Sequence, residues 1–154
     1  MAKLTPSFDR NTIYGIKRLI GRKYNENYYD KTIEEVKQDH DFPFEIIKDS
    51  QSDKIKIVIN YEKGDKKYKK EFFPEQLCAM LLKKIKYDSE YYLSKKIGKT
   101  IVINNAVITV PAYFNQRQRE AIKQSAKIIN LNIKRIINEP TAASLSFGYE
   151  KVEN

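Results

Sequence analysis

Ile13, Ile16, Leu19 and Ile20 recur at helical spacing and predict a short helix over residues 11–20, with Gly21 as its stop. Residues 28–38 are mostly polar but place Ile33 and Val36 on one helical face, which predicts a second helix. The period then shortens to two. Phe44 to Ile47 reads as a short strand after Pro43. Ile55, Ile57 and Ile59 alternate with Lys54, Lys56 and Asn60, the pattern of a half-buried strand. Gly64-Asp65 marks a turn, and Lys66 to Phe73 returns as a third strand. The first half is therefore expected to be an antiparallel meander preceded by short helices.

At Pro74 the pattern becomes helical again. Proline at the first position and Glu75 in the first turn suit a helix opening. Leu77, Leu81 and Ile85 share one face, with Met80 beside them, and the helix is predicted to end near Leu93. Residues 94–105 read as a polar connection. Ala106 to Val110 is a short apolar run, as expected of a strand buried on both faces. Pro111 ends it. Asn115 and Gln118 have capping-box spacing, and Ala121, Ile122, Ser125, Ala126 and Ile129 make a helical stripe. Leu131 to Ile137 is a further strand; Pro140 opens a last helix, expected to stop at Gly148.

Residues 106–137 thus form a strand–helix–strand unit, which normally makes two parallel strands. Parallel strands bring their carboxyl ends to one edge, where ligands of open α/β sheets bind. Pro111 and Glu139 both fall at that edge. A carboxylate there can orient water or a metal-bound ligand; it can equally serve the dipole of the helix that Pro140 opens.

Composition narrows the chemistry. The chain has 154 residues, enough for one ordinary domain. One cysteine, Cys78, and one histidine, His40, exclude a disulfide framework and a Cys/His metal cage. His40 lies in a polar stretch before Pro43 and reads as a surface histidine; Cys78 reads as a packed thiol. No apolar run is long enough to span a membrane, and Met1 to Pro6 shows no secretory signal. The net charge is +9, but it is spread as +3 over residues 1–73 and +6 over residues 74–154. Scattered lysines of this kind weigh against a nucleic-acid partner and suit a solvated surface. Gly98-Lys99-Thr100 imitates the end of a phosphate-binding loop, yet Leu93 stands where the motif needs its first glycine.

Three blocks carry a resemblance. They are Asn11 to Tyr14 with Lys17 to Arg22, Asn105 to Asn115 with Gln118-Arg119, and Arg135 to Ala143. Phe42-Pro43-Phe44 and Phe73-Pro74-Glu75 fall in order between them. Together they resemble the seventy-kilodalton heat-shock chaperone family over nearly the whole chain. The resemblance implies an α/β fold: a partial actin-like ATPase lobe with a ribonuclease-H-like βαβ piece and a small α+β subdomain. Residues 1–73 are expected to be the outer subdomain of the first lobe, and residues 74–154 part of the inner one.

The resemblance also implies roles. Lys17 matches the lysine that acts near the γ-phosphate. Glu139 matches the glutamate that helps hold the hydrolytic water and the magnesium shell. Pro111 and Arg119 match a relay between the nucleotide and the peptide-binding domain. Arg135, Asn138 and Thr141 match the docking region of the J-domain co-chaperone. The implied cofactors are ATP or ADP with Mg²⁺; the implied partners are J-domain proteins, nucleotide-exchange factors and unfolded clients. The expected compartment is the cytoplasm, with the endoplasmic-reticulum lumen as the alternative.

Departures limit the activity expected. Gly15-Ile16 replaces an Asp-Ala pair, Gln116 an acidic residue, and Gln124-Ser125-Ala126 an Asp-Ala-Gly run. The connection around Lys95 to Ile103 is longer than usual. Neither glycine-rich phosphate loop of the family occurs in these 154 residues. The polypeptide is therefore expected to be part of an ATP-dependent chaperone without hydrolytic competence of its own. The alternative is a non-catalytic module that binds J-domain or nucleotide-exchange co-chaperones.

Overall fold

A computed structural model describes residues 10–25 and 31–150, with the side chains of 149 and 150 excepted. The chain divides into two compact units, Met1–Leu77 and Cys78–Asn154. The start of the chain and residues 28–30 of the expected second helix lie outside the described residues.

The first unit holds helix α1 (Ile33–His40) and strands β1 (Glu45–Lys48), β2 (Ile55–Lys63) and β3 (Lys66–Phe72). The strands form an antiparallel sheet in the order β1-β2-β3, the expected meander. Thr32 caps α1 in a capping box with Glu35. Ile33 and Val36 turn inward as their spacing predicts, joining Leu19, Phe44, Ile46, Ile55 and Ile57 in one core. Val58, on the opposite face of β2, is buried as well. The β2–β3 turn puts Gly64 at φ +61, a conformation that the first residue of a two-residue hairpin loop needs.

The helix expected over residues 11–20 does not form; only Ile16–Arg18 makes a single 3₁₀ turn. Two contacts outweigh the local periodicity. Asn11 Nδ2 donates to the Asn60 carbonyl at 2.6 Å, and the Asn60 N–H donates to Asn11 Oδ1 at 3.0 Å. Gly15 adopts φ +65, so the chain turns just before Ile16. A Cβ at Gly15 would lie 2.9 Å from Phe42 Cε1. Gly15→Ala is therefore expected to cost about 1–2 kcal/mol from the left-handed backbone alone, read as a lowered melting temperature.

One partly buried ion pair ties the sheet to its loops. Lys56 Nζ reaches Asp49 Oδ1 at 2.7 Å and Glu71 Oε2 at 3.3 Å, and Ser52 Oγ donates to Asp49 Oδ2 at 2.6 Å. The Lys56 hydrogen bond, seconded by Ser52, holds the Asp49 carboxyl below its ordinary pKa. A depressed folded pKa stabilises above the unfolded value of about 3.9 and is lost as pH falls through the folded value. Asp49→Asn is thus expected to destabilise at neutral pH and to match the parent more closely in acid. Thermal melts at neutral pH and near pH 2.5 compare the two.

The second unit holds most of α2 (Pro74–Ile97), then β4 (Asn105–Val110), α3 (Gln116–Ile128), β5 (Asn132–Asn138) and α4 (Glu139–Glu150). α2 runs four residues past Leu93 and stops where Gly98 takes φ +72 and its N–H reaches Ser94 O. The following segment lies back along the helix. The Ile101 N–H donates to Ser94 Oγ, and the Ile103 N–H to Glu90 Oε1. Leu81 and Ile85 are exposed rather than packed along a helical seam.

β4 and β5 pair in parallel. Their helix packs close because Ala121, Ser125 and Ala126, all buried, keep its inner face small. Asn130, at φ +55, turns the chain into β5. β4 is not buried on both faces: Val107 is 56% exposed. Among the described residues β4 pairs only with β5, so its other edge carries no strand. α4 also continues through Gly148, because nothing there forces a left-handed turn.

Candidate functional site

The parallel register decides where the candidate residues fall. Val110 is the partner of Asn138, so Pro111 and Glu139 follow neighbouring strand ends at the same edge. Pro111 is buried and begins a tight turn, closed by the Phe114 N–H to the Pro111 carbonyl at 3.1 Å. Phe114 is buried and anchors the turn's far end. Asn115 then caps α3, with Asn115 Oδ1 accepting from the Gln118 N–H at 2.9 Å and Gln118 Oε1 from the Asn115 N–H at 3.2 Å. The predicted capping box is present. It fixes Arg119 in the first turn of α3, facing the strand ends.

Arg119 joins the two halves of this edge. Its Nε donates to the Phe114 carbonyl at 3.1 Å, and its Nη2 donates to Asn138 Oδ1 at 2.7 Å. The guanidinium thus straps the Pro111 turn to the last residue of β5, one position before Glu139. The fork of an arginine supplies both donors from one rigid plane, which a lysine does not. Glu139 begins α4 and is exposed, so its carboxylate is available to water. Arg135 and Thr141 are exposed, and Asn138 is half-buried. The resemblance assigns Asn138 to partner docking; its bond to Arg119 is the part that the sequence pattern missed. The visible signal was the capping box, which places residue 119 against the ends of the strands.

Lys17 lies in the other unit. It sits in the 3₁₀ turn, exposed, with Leu19 and Ile20 fully buried just after it. Those two anchors hold a short turn whose outer side carries a cation. Lys17 and Glu139 fit a phosphate group and the water shell of a magnesium ion in chemical type: one ammonium and one exposed carboxylate. Among the described residues no three His, Cys, Asp or Glu side chains gather as a metal cage. Among them, too, no helix is long and apolar enough to cross a membrane.

A parallel strand pair with its crossover helix, together with a separate antiparallel α+β unit, matches the partial actin-like ATPase lobe that the resemblance implies. A family model described as Hsp70 protein matches residues 4–154. Heat shock cognate 70 kDa protein 3 of Dictyostelium discoideum is 41% identical over 141 residues, which is 92% of this chain and 20% of that protein. Chaperone protein DnaK of Akkermansia muciniphila is 42% identical over 146 residues, 94% of this chain and 20% of its own length. Chaperone protein DnaK of Carsonella ruddii is 43% identical over 145 residues, 94% of this chain and 21% of its own length. The chain belongs to the Hsp70 family and carries part of its ATPase domain. It spans about a fifth of the length of these curated relatives.

Proposed function

We propose that this chain supplies the cation and the carboxylate of an ATP-hydrolysing chaperone site, together with the relay that reports its state. The observation that carries this reading is the Arg119 strap between Phe114 and Asn138 at the edge that bears Glu139. Bound Mg·ATP supplies a transferable phosphoryl group and a metal that offsets its charge. Lys17 adds a positive charge for the γ-phosphate side. Glu139, exposed at the strand end, accepts a hydrogen bond from water and so orients it. Pro111 and Arg119 pass a change at this edge to the surface of Arg135, Asn138 and Thr141, where a J-domain co-chaperone docks. A relay of this kind needs two arrangements that ligands bias differently; breaking the Arg119–Asn138 bond is one such change. Nucleotide-exchange factors and unfolded clients are partners of the complete chaperone on this reading.

The glycine content favours a second reading. The five glycines are dispersed at 15, 21, 64, 98 and 148, and none belongs to a phosphate cradle. The 154-residue polypeptide by itself then acts as a non-catalytic module for J-domain or exchange-factor partners.

A chimera tests the first reading. The matching stretch of the Akkermansia muciniphila DnaK is replaced by these 154 residues. The expected result is retained ATP turnover that falls sharply with Glu139→Gln at an unchanged melting temperature. Turnover indifferent to Glu139→Gln overturns the role given to that residue.

A further inference from the structure

The β2–β3 hairpin divides its charge unevenly between its two faces. Residues in register share a face of an antiparallel pair, and successive residues alternate. The pairs Tyr61↔Tyr68 and Lys63↔Lys66, with Lys70 two residues beyond Tyr68, therefore lie on one face. Glu62, Lys67, Lys69 and Glu71 lie on the other, where Lys67–Glu62 at 3.6 Å and Lys69–Glu71 at 3.5 Å balance each other. The first face carries three ammonium groups, two phenols and no carboxylate; Asp65 belongs to the turn. All five of its residues are exposed, and this arm stands outside the core of its unit. Lysines on an edge strand commonly serve to block stray pairing. β1 pairs only with Ile55–Val58, so Lys63 too stands on an open edge; but blocking works from either face and does not account for the sorting of every carboxylate to the opposite one.

We propose that this face docks an acidic, extended segment of a partner protein. Extended peptides place alternate side chains about 7 Å apart on one side, the same repeat as the residues of this face. Carboxylates at those positions meet Lys63, Lys66 and Lys70, while the phenols of Tyr61 and Tyr68 donate hydrogen bonds. The tyrosine geometry favours a peptide over a single-stranded nucleic acid. The two rings stack on each other, with centroids 5.2 Å apart and planes at 13°. The Lys70 ammonium lies over the Tyr61 ring, 5.5 Å from its centroid. Bases need open ring faces to stack on, and Tyr61 is already engaged twice. Carboxylates need only the cations and hydroxyls.

The test is fluorescence anisotropy of a fluorescein-labelled oligoglutamate peptide with the full chain at low salt. Lys63→Gln/Lys66→Gln/Lys70→Gln is expected to weaken binding about tenfold or more, because rim charges act strongly where they are complementary. Lys83→Gln/Lys99→Gln/Lys127→Gln removes the same charge from exposed positions elsewhere and is expected to change binding less than about twofold. All six lysines are exposed, so circular dichroism is expected to show both variants folded. Equal losses in the two variants, or no binding of the peptide, overturn the proposal. So does tighter binding of a labelled oligothymidylate through the same three lysines.

Discussion

Lys17→Ala is expected to lower ATP turnover about 100–1,000-fold in the DnaK chimera that carries these 154 residues. The reason is charge. Phosphoryl transfer spreads negative charge over the transferred oxygens, and a fixed cation in a water-poor site offsets it without rearrangement. The 3₁₀ turn supplies the fixing. Leu19 and Ile20 are fully buried, Gly15 sets the entry to the turn, and Lys17 is exposed. Its truncation therefore removes an ammonium and little else. The melting temperature should stay unchanged while kcat falls. Lys17→Arg keeps the charge but spreads it over a wider planar group, so it should recover only part of the rate. A fall in melting temperature equal to that of a core variant would assign Lys17 a structural role instead.

Ile57→Ala is expected to cost about 3–4 kcal/mol, the largest single loss of stability in the first unit. Ile57 is fully buried at the centre of the three-stranded sheet, in register with Ile46 on one side and Phe72 on the other. Removing three carbons there leaves a hole that strand pairing on both sides prevents from closing. A unit of this size holds about 4–12 kcal/mol in all, so the variant stands near the edge of folding. Urea denaturation gives the difference directly. Ile57→Val, which keeps the β-branch, should lose only about 1 kcal/mol. A loss from Ile57→Ala no greater than that of Ile57→Val would mean that the sheet does not form the core described.

What the residues announced and what they concealed divide by the range of the interactions. The strand–helix–strand segment was legible because each of its signals is local. Ala106 to Val110 is apolar but for Thr109, Asn115 and Gln118 cap each other, and the small stripe at Ala121, Ser125 and Ala126 repeats at helical spacing. The helix expected over residues 11–20 failed because its outcome is decided far along the chain. Asn11 is bound by the backbone of Asn60, and Gly15 is packed against Phe42. Exposure was equally hidden. Nothing in the run around Val107 tells how many strands flank it, and Leu81 and Ile85 look like a buried stripe although both are exposed. Of the candidate site, spacing alone reached Pro111 and Glu139, since parallel strands must end at one edge. Lys17 came only from the resemblance, because one lysine in a basic chain has no local signature. The Asn138 acceptor of Arg119 was visible in neither, because it depends on the register that sets Asn138 beside Val110.

Labour is divided: this chain holds Lys17 and Glu139, and the glycine-rich cradle that grips the phosphates is not among its 154 residues. Calorimetric titration of the folded polypeptide with Mg·ATP measures that directly. No saturable heat is expected, because one lysine and one carboxylate do not replace a ring of backbone N–H donors around the phosphates. Saturable binding that disappears in Lys17→Ala and Glu139→Ala would contradict that expectation, and would mean that these residues hold the nucleotide without a cradle.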